Sequence, residues 1–220
     1  MTTFLLLRHA HSSANEIGVL AGRSEGVGLS KVGIRQSLSL VTGFPDLKIN
    51  RIISSPMQRC IETITPLAQH LKKRIHTSDA FIEMDYGTWS GEKLRDLARK
   101  REWKQIQKRP ESFTFPDGEG FQAAQRRVES ELKKLSRKYP GETLLIVTHG
   151  DIVKLAVAFS SGTALNNFQR FVIDTCSLTE LHWSSQGRSV IRTNSQIVTL
   201  RGKSKKSLRN RKTLGGGSGA

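Results

Sequence analysis

Short apolar runs alternate with longer amphipathic segments along this chain, the pattern of strands separated by crossover helices in a parallel or mixed sheet. The apolar runs predict strands over 3–7, 51–54, 143–147, 177–183 and 188–194, with a shorter one near Ile75. The last two long runs are joined across 184–187, which predicts an antiparallel hairpin at the sheet edge. Helix starts are marked by their chemistry. Ser30 offers a capping hydroxyl for a helix running to about Thr42, and Ser55-Pro56 offers a cap followed by proline at the first helical position, placing Arg59 on the first turn. Further helices are expected over 93–108, over 119–139 and from Asp151, which is read as a cap, to about Ser160; Gly162 is the stop, and 113–118 reads as a loop.

The same pattern fixes where polar side chains must emerge. The run 4–7 ends in Arg8-His9, the run 143–147 ends in Thr148-His149-Gly150, and the strand near residue 52 leads into Ser54-Ser55-Pro56-Met57-Gln58-Arg59. In an open α/β sheet the carboxyl ends of the strands form the ligand crevice, so three separate ends deliver two arginines and two histidines to one edge. Such a cluster is costly to assemble unless an anion neutralises it. Guanidinium groups bind phosphate oxygens in pairs, and a neutral imidazole can attack phosphorus and carry the phosphoryl group. The chemistry also needs a proton donor for the leaving alcohol. Glu83, in the stretch 81–91, is the first candidate, with Asp85 two residues on as its alternative.

Composition narrows the setting. A chain of 220 residues is long enough for one core and too short for two, so a single domain over 1–200 is expected, followed by a basic extension over 201–220. That extension holds seven basic residues from Arg201 to Lys212, no acidic one and a Gly/Ser-rich end; it lacks the apolar content to fold and reads as disordered. It accounts for much of the net charge of +16: without those seven, 28 basic residues face 19 acidic ones, a net +9. A solvated solubility tail is preferred over a nucleic-acid or membrane tether. Residues 1–7 carry no basic leader, and no segment approaches the roughly 20 apolar residues that span a bilayer, so a cytoplasmic protein without membrane insertion is expected. Cys60 and Cys176 are too few for a disulfide framework or a metal site of their own and read as packing residues. Trp89 and Trp103 likewise read as packing for a cap.

The ordered blocks are similar to those of the histidine phosphatase superfamily, the phosphoglycerate mutase-like group, over residues 4 to about 183. Arg8-His9 with Asn15 resembles the opening motif; Ala21-Gly22-Arg23 with Leu29-Ser30 and Gly33 resembles the substrate loop; Ser54-Ser55-Pro56 with Arg59, then Glu83 with Gly87 and Gly91, then His149-Gly150 follow in the order of that group. The stretches 149–154 and 168–170 resemble a bacterial branch described loosely as phosphomutases. This resemblance implies a three-layer α/β/α sandwich with a mostly parallel mixed sheet and a cap over about 84–120. It implies that His9 is the nucleophile, that Arg8, Arg59 and His149 hold the transferring phosphoryl group, and that Glu83 is general acid and then general base. Ser12, Asn15, Arg23 and Gly150 would bind phosphate or substrate, with no metal and no cofactor. His11, where relatives carry an acidic or amide residue, would tune the pocket or face solvent.

Hydrolysis and phosphoryl transfer share their first half. Mutases of this group carry a longer insert, rich in arginine and tyrosine, after the catalytic glutamate, whereas residues 92–118 are short and hold Arg95, Arg99, Arg101 and Arg109 without that density. Hydrolysis of a small phosphorylated metabolite through a phosphohistidine is therefore expected, with a phosphoglycerate mutase-type transfer as the alternative. A noncatalytic phosphate- or nucleic-acid-binding module is the least favoured reading, because it leaves the pairing of His9 with Glu83 unexplained. Oligomeric state is not legible.

Overall fold

Phe4, Leu5, Leu6 and Leu7 are apolar on both sides of the pleat, and the strand they form, β1 (Thr2–Arg8), is buried on both faces at the centre of a six-stranded sheet. The computed structural model describes residues 1–44 and 48–197; the extension expected over 201–220 lies outside the described residues. The other strands are β2 (Arg51–Ser54), β3 (Ile75–Thr77), β4 (Thr143–Thr148), β5 (Ser177–Ser184) and β6 (Gly187–Gln196), in the order β3-β2-β4-β1-β5-β6. β4 runs parallel to β1 and to β2, and β2 is parallel to β3. β5 is antiparallel to β1 and forms the predicted edge hairpin with β6. The sheet is thus mixed and mostly parallel, as expected.

Among the described residues the α-helices are α1 (Ser13–Glu16), α2 (Lys31–Gly43), α3 (Gln58–His70), α4 (Leu94–Leu97), α5 (Arg101–Lys108), α6 (Phe121–Lys138) and α7 (Gly150–Ser161). Alternation along the central strands sends side chains to two different cores. Leu5, Leu7, Leu145 and Val147 pack with Leu40 of α2 and with Cys60, Ile64 and Leu67 of α3. Phe4, Leu6, Leu144 and Ile146 pack on the opposite face with α6 and α7. The result is the three-layer α/β/α sandwich. No helix among the described residues is long and apolar enough to cross a membrane.

Residues 87–115 are fused to the second core. Trp89 stacks on Trp103 with centroids 6.4 Å apart, and Phe113, Phe115, Phe121 and Phe168 continue the contact chain down to the sheet. Gly87 holds the bend of this segment: its φ of +52° is in the left-handed region, and a Cβ there would collide with the Pro116 carbonyl.

Three local expectations are corrected. The helix expected over 93–108 is two helices, α4 and α5, separated at 98–100. Leu94 and Leu97 are three apart, as are Trp103 and Ile106, but Leu97 and Trp103 are six apart, which on a continuous helix turns them about 120° away from each other. Breaking the helix lets all four enter one core. Ser55-Pro56 does not open α3, which starts at Gln58 with Met57 as N-cap and no side-chain cap. Asp151 does not cap α7 either; it sits inside the first turn, after His149 as N-cap, with its carboxylate directed into the protein interior. Ser30 does cap α2, accepting from Gly33 N at 3.2 Å, and Gly162 closes α7 in the left-handed conformation.

Candidate active site

Parallel pairing of β1, β4 and β2 aligns their carboxyl ends, and the residues just beyond them meet. Arg8 lies at the end of β1 and His9 follows it; His149 follows β4; Arg59 stands on the first turn of α3, just after β2. The rings of His9 and His149 pack edge to face with centroids 5.3 Å apart. Both rings and both guanidinium groups are buried, Arg59 at 1% exposure. A cleft is lined by Arg8, His9, Ser12, Asn15, Arg59 and Glu83, among others.

Hydrogen bonds set the tautomer of each ring. His9 Nδ1 lies 2.8 Å from the Ala10 carbonyl, which can only accept, so Nδ1 carries the proton and the lone pair of the neutral ring is on Nε2. For His149 the assignment is reversed. Arg59 Nη2 donates to His149 Nδ1 at 3.1 Å, and a guanidinium can only donate; the ring proton therefore sits on Nε2 and is donated to Ser55 Oγ at 2.8 Å. Burial, Arg59 and Arg8 push His9 well below the usual histidine range, and burial, Arg59 and His9 do the same to His149. His9 is thus a neutral base with its free electron pair on a known atom.

Arg59 also donates Nη2 to the Gly22 carbonyl at 2.8 Å, while its Nη1 is buried with no hydrogen-bond partner among the described residues. A buried donor left open beside a second buried guanidinium is what an anion site requires. Arg8 Nη1 donates to the Ile173 carbonyl at 2.7 Å. Gly150 stands directly against Arg8: a Cβ there would lie 3.3 Å from Nε and 3.4 Å from Cζ, so the missing side chain gives the guanidinium its place. Ser12 caps α1 reciprocally with Asn15; Ser12 N donates to Asn15 Oδ1 at 3.0 Å, which turns the donor end, Nδ2, away from the cap.

Glu83 is buried, with Oε1 accepting from Met84 N at 2.9 Å and Oε2 3.7 Å from His149 Nδ1. Burial and the nearby negative charge of Asp151 push its carboxyl up to about 7, against the opposing pull of Arg59. The alternative acid, Asp85, is bound elsewhere: it accepts from Gly87 N at 3.0 Å and pairs with Arg23 at 3.5 Å. Among the described residues no group of three or more His, Cys, Asp or Glu side chains is arranged to hold a metal ion.

With this geometry in view, the comparisons are decisive for kinship. The family description "histidine phosphatase superfamily (branch 1)" matches residues 4–196. The chain belongs to that superfamily. Among curated relatives, this histidine phosphatase superfamily member is 29% identical over 206 residues to a bifunctional protein of Mycobacterium tuberculosis, covering 90% of this chain and 55% of that protein. It therefore spans about half the length of those first mycobacterial relatives. It is 24% identical over 196 residues to phosphoserine phosphatase 1 of Hydrogenobacter thermophilus, covering 88% of this chain and 92% of that one. Its fold is shared by a phosphoserine phosphatase mutant of Entamoeba histolytica solved with phosphoserine, at a TM-score of 0.80, 20% identity and coverage of 89% and 98%.

In this superfamily member not every expected site residue reaches the cleft. Arg23 donates Nε to the Glu83 carbonyl at 3.0 Å and pairs with Glu119 at 3.2 Å, so it holds the glutamate segment in place. His11 Nδ1 is hydrogen-bonded to Ser30 Oγ at 2.8 Å. Cys60, a packing residue by sequence, touches His149 Nε2 at 3.6 Å, but burial pushes its thiol up to about 12 and keeps it protonated. Sequence reasoning assigned no role to three groups. Arg127 of α6 donates to the carbonyls of Ala80 and Glu83 and pairs with Glu119, bracing the glutamate from below. Tyr86 lines the cleft and donates to Asp151 Oδ2 at 2.9 Å. Lys154 pairs with that same Asp151 at 3.2 Å in the interior and donates to Gln169 at 3.0 Å. The i, i+3 spacing of Asp151 and Lys154 on a helix was the available signal for the last pair; Tyr86 and Arg127 had none, because their partners are distant in sequence.

Proposed function

We propose that this protein hydrolyses small phosphomonoesters through a phosphohistidine at His9. The observation that carries the proposal is the bond from His9 Nδ1 to the Ala10 carbonyl, which leaves Nε2 as nucleophile beside two buried guanidinium groups. Arg8, Arg59 and the Nδ2 end of Asn15 bind the phosphoryl oxygens, with Ser12 fixing Asn15 and Gly150 making room for Arg8. His9 Nε2 attacks phosphorus, the bond from phosphorus to the leaving oxygen breaks, and protonated Glu83 gives its proton to that oxygen. The resulting Glu83 carboxylate takes a proton from water as the water oxygen attacks phosphorus; the phosphorus–nitrogen bond breaks, phosphate leaves, and both residues regain their starting states. Arg8 and Arg59 stabilise charge on the equatorial oxygens, a contribution made by position rather than by bond making, and His149 serves by accepting from Arg59 and so holding that guanidinium in place. Arg23 serves by holding Glu83 instead of touching substrate.

Hydrolysis is favoured over mutase-type transfer because Arg95, Arg99, Arg101 and Arg109 are all exposed and none lines the cleft. The test is phosphate release across sugar phosphates, nucleotides, phosphoserine and phosphoglycerates. With 3-phosphoglycerate plus 2,3-bisphosphoglycerate, phosphate release should exceed isomerisation; the reverse would contradict hydrolysis.

A further inference from the structure

The place of Arg59 in the cup depends on a histidine that can hold it in one state alone. Arg59 Nη2 donates to the Gly22 carbonyl at 2.8 Å and to His149 Nδ1 at 3.1 Å, whereas Nη1 has no hydrogen-bond partner among the described residues. His149 can accept only while Nδ1 presents a lone pair, which is the neutral ring with its proton on Nε2; the other neutral tautomer and the imidazolium would both set donor against donor. Burial and Arg59 keep the ring neutral. The choice between the two neutral forms is then completed by what meets Nε2.

Ser55 Oγ meets it at 2.8 Å, and a serine hydroxyl can donate or accept. Its surroundings remove the choice. Met57 N donates to Ser55 Oγ at 3.3 Å, and Ser55 is hydrogen-bonded to the thiol of Cys60, whose Sγ donates in turn to the Thr148 carbonyl at 3.7 Å. Arg59, His149, Ser55, Cys60 and Thr148 thus form a row with a guanidinium, which can only donate, at one end and a carbonyl, which can only accept, at the other. Between such ends every proton points the same way, from Arg59 toward Thr148. All five residues are at most 1% exposed, so bulk water does not compete for these bonds. The same Thr148 carbonyl accepts from His9 N at 2.8 Å, which anchors the row beside the backbone of the nucleophile.

From this row we infer that Ser55 is a positioning residue: by accepting the Nε2 proton of His149 it fixes the tautomer through which Arg59 is aimed at the phosphoryl group. The inference rests on the phosphatase reading for the target of Arg59. A serine beside a histidine resembles a nucleophile with its base, but the proton runs the wrong way for that role. His149 Nε2 donates to Ser55 Oγ and has no lone pair with which to take the hydroxyl proton. Ser55 is also fully buried and does not line the cleft.

Ser55→Ala leaves the Nε2 proton of His149 buried without its oxygen acceptor. Binding of inorganic phosphate should weaken roughly 10–100-fold, and kcat/KM for p-nitrophenyl phosphate should fall by a similar factor. Long-range proton–nitrogen NMR of the imidazole rings reads the tautomer directly. In the unmodified protein His149 should carry its proton on Nε2 and His9 on Nδ1; in Ser55→Ala the two nitrogen shifts of His149 should move toward each other as the proton divides between them, with those of His9 unchanged. His149 found with its proton on Nδ1 in the unmodified protein would overturn the inference, whether or not Ser55→Ala folds. Ser55→Ala that keeps both the His149 tautomer and the phosphate affinity would overturn it too. Neither readout requires turnover, so failure of the unmodified protein to hydrolyse any phosphomonoester would count against the phosphatase reading alone.

Discussion

The Glu83 carboxylate stands 3.7 Å from Nδ1 of His149, inside a cup where burial raises the acid to about 7 and lowers both histidines. A group that must be protonated is thus set against one that must not be, and their order follows from the environment. As pH rises through about 7, Glu83 loses the proton that the leaving alcohol needs; as pH falls, His9 stays neutral to well below its usual range because burial, Arg59 and Arg8 oppose its protonation. The kcat/KM profile of free protein should be a bell with its alkaline limb near 7 and its acid limb well below 6.5. Glu83→Gln should lower kcat by roughly 10²–10⁴-fold for esters of poor leaving groups and remove the alkaline limb. An alkaline limb unchanged in Glu83→Gln would assign that proton elsewhere.

Asp151 supplies part of the push on Glu83, second only to burial. Replacing Asp151 with Asn keeps an acceptor for Tyr86 and removes the negative charge, so the Glu83 carboxyl should fall and the alkaline limb should move to lower pH. The same change leaves Lys154 without its ion-pair partner in the interior and should cost about 3–5 kcal/mol of stability. A melting curve measures the second effect and the pH–rate profile the first; a limb that stays in place would show that Asp151 serves structure alone.

These two groups also show what a sequence makes legible. The strands β1 and β4 could be read because both faces are buried and the runs are continuously apolar; the polar residues that end them, Arg8-His9 and His149-Gly150, then had only one place to go. Ser30 could be read as a cap because capping is a bond between near neighbours. Ser55 and Asp151 look the same in sequence, but each makes its decisive bond to a residue more than sixty positions away, His149 and Tyr86, and no local rule reports that. Arg127 was invisible for the same reason: in sequence it is one more cation on the amphipathic α6, and only the fold brings it beneath the Glu83 carbonyl. The break between α4 and α5 was legible in principle, through the six-residue step from Leu97 to Trp103.

Two buried guanidinium groups with an open Nη1 on Arg59 should bind inorganic phosphate and be stabilised by it. At a phosphate concentration 100 times its dissociation constant the gain is about 2.7 kcal/mol, or roughly 5–10 °C in Tm for a chain of this size. Arg59→Ala should abolish most of that shift and reduce kcat by roughly 10²–10³-fold. Equal stabilisation of both proteins by phosphate would place the anion outside the cup.

Because the aromatic chain from Trp103 through Trp89, Phe115 and Phe121 runs into the core shared with α6 and α7, residues 87–115 should unfold with the sheet. Trp103→Ala should cost about 3–5 kcal/mol and lower Tm on the order of 10 °C in a single transition. Calorimetry resolving a separate, earlier transition would mean that the cap is an independent unit.

Rapid acid-free quenching of the protein with a radiolabelled phosphomonoester, followed by digestion and mapping of the label, tests the phosphohistidine directly. The label should be acid-labile, stable in alkali, and confined to the peptide carrying His9; His9→Ala should take up none and lose kcat on the order of a thousandfold or more. Label on another residue, or turnover by His9→Ala near that of the unmodified protein, would contradict nucleophilic attack by His9.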